Sequence, residues 1–201
     1  VFIPTQDGLS EIAPQRAKKV SLCYPLVAKL VSSDLPHKSE HGAIMLHIEN
    51  SAALSLAISK MLNTVQTRAQ DAHIEGVLLQ EMVYGLGEAI LGLHRDNLVG
   101  PMITVGAGGV LTEIYKDISI RPAPVTLATA HKMIAEVKGF ASLRGYRGGP
   151  VTDLEPLAQA ITAVSQLGKY EQIAEAEINP LLICEGKVVM VDSLIRVAAQ
   201  K

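Results

Sequence analysis

A polar turn between two apolar runs carries the groups that most clearly suggest chemistry. Lys29 lies in the apolar run 24–31, and His37 and Lys38 lie in the segment 32–42 that follows. Ammonium, imidazole, hydroxyl and glycine backbone groups bind phosphate, and a neutral imidazole is also a competent nucleophile. The segment predicts a nucleotide-phosphate site that His37 contacts. The alternative is a solvated hairpin, since short polar turns are common connectors.

Two carboxylates and an amide near the end of the chain form a pattern that suits a divalent cation. Glu177 and Asn179 alternate along a predicted strand, so their side chains share a face. Asp192, on the predicted return strand, can share it. Mg²⁺ usually takes one or two protein carboxylates and completes its shell with water and nucleotide phosphates. The alternative is that Asn179 only ends a strand and Asp192 is a surface cap.

Two glutamates flank the point where glycines become frequent. The strand backbone from Glu81 through Met82 to Val83 is a candidate for reading a nucleotide base, and Glu88 for accepting hydrogen bonds from ribose. The alternative is that these are solvated edge residues.

A glycine loop, Gly106-Ala-Gly-Gly109, follows later in the chain. It is not a P-loop, because no Gly-Lys-Ser/Thr follows it. Glu113, Asp117 and Arg121 lie beyond it at spacings that could turn them towards one cavity.

The composition excludes several classes of protein. The 201 residues carry a net charge of −2, which gives no electrostatic support to nucleic-acid binding. Cys23 and Cys184 are too far apart for a metal motif and are expected to be buried, inert thiols. No segment reads as a signal peptide or membrane span, so a cytoplasmic location is the default expectation. The first residue, Val1, suggests a processed chain or a fragment.

Hydrophobic periodicity predicts an α+β protein with two lobes, and a ligand between them near Met82–Glu88. Residues 1–82 are expected to form an αβ lobe, and residues 83–201 a lobe of antiparallel sheet with helices. Helices are predicted at 11–22 with Ser10 as the cap, from Asn50 or Ser51 to 69, at 126–139, and to 167 from a cap at Asp153. Strands are predicted at 25–31, 43–48, 74–82, 89–93, 102–105, 110–114, 118–120 and 174–179, with a final hairpin of 180–184 and 187–193.

Taken together over about residues 1–196, these segments resemble the ATP-grasp domain of the NDP-forming acyl-CoA synthetases. That group includes the ADP-forming acetyl-CoA synthetases and is related to the β subunit of succinyl-CoA synthetase. The resemblance is carried by Lys29–Ser39 with Gly42, Glu75–Val83, Gly106–Val110, Gly145–Gly148, and Glu175–Leu181 with Asp192.

The resemblance implies an ATP-grasp fold with ATP or ADP between its lobes. Lys29 and Lys38 would contact phosphates, and Glu88 would hold the ribose. The hinge formed by Glu81, Met82 and Val83 would hold the base. Mg²⁺ would be bound by Asn179 and Asp192, with Glu177 beside them. His37 would carry the phosphoryl group as a phosphohistidine in the reaction acyl-CoA + ADP + phosphate ⇌ carboxylate + CoA + ATP.

That reaction needs a CoA-binding region, and none is recognisable in this sequence. The expected protein partner is therefore a CoA-binding domain or α-type subunit, and the expected substrate is a small carboxylic acid or its acyl-CoA. A homo- or hetero-oligomer is compatible with this expectation. The second hypothesis is a non-catalytic nucleotide-sensing domain, as in relatives fused to a protein acetyltransferase. A carboxylate–amine ligase is disfavoured by the His-Lys-Ser loop. The activated acid and the choice of adenine or guanine stay open.

Overall fold

In the computed structural model, contacts divide the chain into two units, Val1–Met82 and Val83–Lys201. The structure describes residues 1–5, 8–35, 41–109 and 116–198. No helix in those ranges is long and apolar enough to cross a membrane.

The first unit is an antiparallel sheet with two helices on one face. Its strands follow the order β1-β4-β2-β3. Alternate residues of β2 are fully buried in the core that the helices share, and the residues between them face the other side. The elements are β1 (Phe2–Pro4), α1 (Leu9–Lys19), β2 (Leu26–Val31), β3 (Ile44–Ile48), α2 (Ser51–Arg68) and β4 (Gly76–Glu81).

The start of α2 is as predicted, and the start of α1 is not. The Oδ1 atom of Asn50 accepts a hydrogen bond from the Ala53 N–H at 2.9 Å, which caps α2. By contrast, α1 begins at Leu9, directly after Gly8 in a left-handed conformation, and Ser10 lies inside the helix. The helix therefore starts two residues before the predicted 11, and Pro14 lies in its interior rather than in its first turn.

The second unit is a larger antiparallel sheet packed against two helices. The strand order is β10-β8-β5-β6-β7, and β9 also pairs with β8. The core lies between this sheet and the helices α3 and α4. The elements are β5 (Gly87–Asp96), β6 (Gly100–Ala107), β7 (Ile118–Pro122), α3 (Leu127–Glu136), α4 (Glu155–Ser165), β8 (Ile173–Cys184), β9 (Lys187–Met190) and β10 (Ser193–Val197), with 3₁₀ turns at Lys138–Leu143, Tyr146–Gly148 and Gln166–Lys169.

The hairpin predicted across the Glu185-Gly186 turn is present, but the strands on either side of it differ from the prediction. β8 is one strand of 12 residues whose second half pairs with β9 and whose first half pairs with β10. The return chain is interrupted at Val191 and Asp192, opposite Asn179 and Pro180. Pro180 has no N–H to donate to a neighbouring strand, which favours a break at this point.

Three smaller expectations are corrected or stay open. Asp153 accepts a hydrogen bond from the Glu155 N–H at 2.8 Å, but α4 ends at Ser165 and continues as a 3₁₀ turn. Cys184 is buried, as expected, whereas Cys23 is exposed. The strand predicted at 110–114 lies outside the described residues.

Candidate nucleotide-binding site

Lys29 is a buried cation in the middle of β2. Its exposed fraction is only 5%, and it lies opposite Ile44 on β3 and Leu78 on β4. Its neighbours Ala28 and Leu30 belong to the helix-covered core, so Lys29 faces the other side of the sheet. Burying an ammonium is costly unless a polar or anionic partner compensates it. An ammonium on this face is a group that could also bind a phosphate oxygen.

Both described ends of the loop that follows are anchored to the first unit. The Asp34 Oδ2 atom accepts from the His73 N–H at 2.9 Å, and the Ser33 N–H donates to Glu75 Oε1 at 3.0 Å. Gly42 ends the loop with φ of +68°, and an added Cβ would lie 2.9 Å from the Thr64 methyl carbon. Residues between these anchors, His37 and Lys38 among them, lie outside the described part of the chain.

The predicted base-reading segment is partly committed to internal hydrogen bonds. Glu81 Oε1 accepts from the Cys23 N–H at 2.8 Å, and the Met82 N–H donates to the Pro25 carbonyl at 2.9 Å. These two bonds fix the turn before β2 against the end of β4. Because the Met82 N–H is already used, a base could use only the remaining backbone groups of Glu81, Met82 and Val83.

Glu88 is exposed on β5, with its backbone packed against the glycine loop. Its carbonyl accepts from the Gly108 N–H at 2.7 Å, and a Cβ on Gly108 would lie 2.7 Å from the Glu88 Cβ. Glycine is needed at 108 for this close approach. Glu88 is an exposed residue, so its carboxylate could accept from a ligand hydroxyl.

Glu177 and Asn179 share a face of β8, as their spacing predicts. The Asn179 Nδ2 atom donates to Glu177 Oε1 at 3.2 Å. Asp192 lies across from Asn179, because the Asn179 N–H donates to the Asp192 carbonyl at 3.1 Å. The Asp192 Oδ1 atom accepts from the Ser193 N–H at 3.0 Å. One carboxylate oxygen on each acid and the Asn179 Oδ1 atom are left as ligand candidates.

This oxygen set fits Mg²⁺ better than a softer metal. Within the described ranges, no cluster of three or more His, Cys, Asp or Glu side chains could hold a metal ion by itself. A shell with two protein carboxylates, an amide oxygen, water and phosphate is typical of Mg²⁺. Such a set would need water and phosphate oxygens to complete a Mg²⁺ shell.

The side chains of Asp117 and Arg121, which were expected to face one cavity, form contacts within the second unit. The Asp117 carboxylate accepts from the Lys138 N–H at 3.0 Å and the Gly139 N–H at 2.6 Å, which caps the turn after α3. Arg121 forms an ion pair with Glu136. The Ser119 hydroxyl, and after it Arg121, hold the pKa of Glu136 below its ordinary value of 4.5. The third residue of the set, Glu113, lies outside the described residues.

Sequence reasoning missed one polar group near Lys29. The Gln80 Oε1 atom is buried and accepts no hydrogen bond from any described residue. The strand alternation of 74–82 already places Gln80 and Leu78 on one face, and that signal was available in the sequence.

Comparison with known proteins identifies the fold. Residues 8–197 match a family model described as an ATP-grasp domain. The chain belongs to the ATP-grasp family. The expectation of an α+β ATP-grasp fold is thereby confirmed.

Two curated ATP-grasp relatives are ligases. The β subunit of acetate–CoA ligase [ADP-forming] I from Pyrococcus furiosus is 35% identical over 85% of this chain and 74% of that subunit. Acetate–CoA ligase [ADP-forming] I from Archaeoglobus fulgidus is 42% identical over 86% of this chain, but the match covers only 25% of that protein. The chain thus spans about a quarter of the Archaeoglobus ligase and about three quarters of the Pyrococcus subunit.

Solved structures agree with this assignment. The dinucleotide-forming acetyl-coenzyme A synthetase 1 of Ca. Korarchaeum cryptofilum, in complex with coenzyme A and Ca-AMPCP, has a TM-score of 0.90 and 31% identity over 98% of this chain and 85% of that chain. Another structure of that synthetase holds Mg-AMPPCP, with a phosphohistidine segment pointing towards the nucleotide binding site; its TM-score is 0.78 at 27% identity, over 98% of this chain and 85% of that chain.

Proposed function

We propose that this chain is the nucleotide-binding portion of an ADP-forming acyl-CoA synthetase, an acid–thiol ligase. The reaction of the whole enzyme is acyl-CoA + ADP + phosphate ⇌ carboxylate + CoA + ATP. The observation that carries this proposal is the match to a ligase β subunit over 74% of its length at 35% identity. The Lys29 position and the Glu177–Asn179–Asp192 arrangement supply a chemistry that fits it.

Each candidate residue is assigned the nucleotide contact that its chemistry allows. Lys29 and Lys38 offset phosphate charge, the backbone of Glu81–Val83 contacts the base, and Glu88 accepts from the ribose. Glu177, Asn179 and Asp192 hold Mg²⁺ through oxygen atoms. Bound Mg²⁺ neutralises charge that develops on the transferring phosphoryl group.

His37 carries the phosphoryl group between the two half-reactions. An imidazole nitrogen forms a P–N bond as the P–O bond of an acyl phosphate breaks and the carboxylate leaves. The terminal phosphate oxygen of ADP then forms a P–O bond as the P–N bond breaks, which yields ATP and restores the neutral imidazole. The phosphohistidine segment of the Korarchaeum synthetase supports this role.

The thioester chemistry requires a partner. The Pyrococcus relative is named as a β subunit, which supports a CoA-binding domain or α-type subunit that completes the active site. The acyl substrate in this proposal is a small carboxylic acid, and the two relatives described above are acetate–CoA ligases. A non-catalytic nucleotide sensor is the second candidate; the retained His37, Glu177, Asn179 and Asp192 favour the enzyme.

Phosphohistidine formation tests the proposal. We expect the purified chain to take up label from γ-labelled ATP with Mg²⁺, as an acid-labile, base-stable phosphoprotein. His37→Ala should abolish the label, and His73→Ala, which alters an exposed histidine of the same unit, should retain it. Absence of label in the unaltered chain, both alone and with an α-type subunit, would favour the sensor.

A further inference from the structure

The first unit holds the connecting chain as far as Met82. The carboxylate of Glu81, the last residue of β4, accepts a hydrogen bond from the Cys23 N–H at 2.8 Å. The Met82 N–H donates to the Pro25 carbonyl at 2.9 Å. Both partners belong to the first unit. The backbone is therefore fixed to that unit up to the N–H group of Met82.

The second unit holds the chain from Tyr84 onwards. The thiol of Cys184, which is buried, donates to the Tyr84 carbonyl with an Sγ–O distance of 3.6 Å. The Leu86 N–H donates to the Ile183 carbonyl at 2.7 Å, directly before β5 pairs with β8. Both bonds lie within the second unit. Tyr84 and Leu86 are thus attached to the end of β8.

Gly85 has the least restricted backbone of this segment, but its neighbours leave it little room. An added Cβ would lie 3.0 Å from the Gly87 carbonyl oxygen, 3.2 Å from the Ile183 carbonyl oxygen and 3.3 Å from the Leu182 Cβ. Glycine can serve close backbone approach as well as conformational freedom. At this position it serves close packing against the end of β8, so Gly85 is not a free joint.

Val83 is left between these two sets of bonds. It forms no hydrogen bond with any residue that the structure describes, and it is only half-buried. The residues that absorb φ and ψ changes in domain motions are a few loop or element-terminal positions, and they need not be small. We propose that Val83 is the pivot between the two units. Rotation about its φ and ψ re-orients one unit relative to the other and leaves the bonds of Met82, Tyr84 and Leu86 intact.

Residual dipolar couplings of the nucleotide-free 201-residue chain test the pivot. Measured separately for the two units, they give a degree of order for each. A rigid connection requires equal values, whereas motion at a pivot makes them unequal. Amide hydrogen exchange supplies the local readout. After correction for intrinsic rates, we expect the Met82 and Leu86 N–H groups to exchange at least about tenfold more slowly than that of Val83, because only those two are hydrogen-bonded.

Three variants separate the pivot from a general loss of order. Val83→Gly should widen the difference between the units, because glycine reaches more of φ and ψ. Cys184→Ala should widen it as well, because it releases the Tyr84 carbonyl. Val99→Gly makes the same change in the exposed turn between β5 and β6 and should leave the difference unaltered. Thermal unfolding of each variant establishes that it is folded.

Equal degrees of order in the unaltered chain would show a rigid connection and overturn the pivot. Exchange at Met82 or Leu86 as fast as at Val83 would place the motion in other residues, and the proposal would be wrong. It would also be wrong if Val83→Gly and Val99→Gly had the same effect, or if Cys184→Ala had none. Each of these results leaves the proposed nucleotide-binding function standing, because no nucleotide is present in the experiment.

Discussion

The Asn179 amide donates a hydrogen bond to the Glu177 carboxylate at 3.2 Å, along one face of β8. The bond uses the Asn179 Nδ2 atom, so the Oδ1 atom of that amide takes no part in it. The Asp192 carbonyl accepts from the Asn179 N–H across the break in the return chain. Two hydrogen bonds thus join Asn179 to the Glu177 side chain and to the Asp192 backbone.

We predict that Asp192→Asn weakens binding of ADP in the presence of Mg²⁺ by about tenfold or more, because a metal ligand loses its charge. Affinity without Mg²⁺ should change little. Titration calorimetry with and without Mg²⁺ measures both. Asp71→Asn, an exposed aspartate of the first unit, is the control and should change neither affinity. Equal losses with and without Mg²⁺ would show that Asp192 is not a metal ligand.

Lys29→Met should weaken ADP binding by about 10- to 100-fold, the range expected for a hydrogen bond to a charged group. Binding of adenosine, which has no phosphate, should be unaffected. Thermal unfolding of the variant establishes whether it is folded, because Lys29 is buried within β2. Lys60→Met, on the exposed side of α2, is the control. A parallel loss of adenosine affinity would contradict a phosphate role.

Gly108→Ala should destabilise the second unit by about 1–3 kcal/mol, because overpacking forces neighbours to move. The added Cβ would lie 2.7 Å from the Glu88 Cβ and 3.0 Å from the Glu88 carbonyl carbon. Urea unfolding measures the change. Gly92→Ala is the matched control, since its Cβ would meet only the Ala176 carbonyl oxygen at 3.9 Å. Equal stability of the two variants would refute the close-packing role of Gly108.

The stability of the second unit should depend on the ionisation of Glu136. The Ser119 hydroxyl and then Arg121 lower the pKa of Glu136 from 4.5. A lowered carboxyl pKa stabilises the fold above the unfolded value, and that contribution disappears as pH falls through the folded value. Glu136→Gln should therefore lose less stability than the unaltered chain between about pH 6 and about pH 3 in urea titrations. Glu185→Gln, in an exposed turn, should behave like the unaltered chain.

Local patterns predicted the elements better than their ends and partners. The α2 helix followed from one cap residue and apolar spacing, both of which are local. The α1 start did not, because Gly8 supplies a left-handed entry that makes Ser10 unnecessary as a cap. The Glu177–Asn179 contact followed from strand alternation alone.

Contacts between distant segments could not be read from spacing. Asp117 binds N–H groups 21 and 22 residues away, and nothing in its own neighbourhood indicates that turn. The same holds for Glu81, whose carboxylate is held by Cys23 58 residues earlier. The roles of His37 and Lys38 stay predictions, because both lie outside the described residues.

The divided pairing of β8 has a practical consequence for engineering. β10 supports the half of β8 that carries Glu177, whereas β9 supports the half that ends at Cys184. The turn between β8 and β9 contains Gly186, where an added Cβ would meet no atom within 4 Å. A fluorescent reporter inserted into that turn would therefore disturb the pairing of β9 and leave the β10 pairing intact, so the turn is a suitable insertion point.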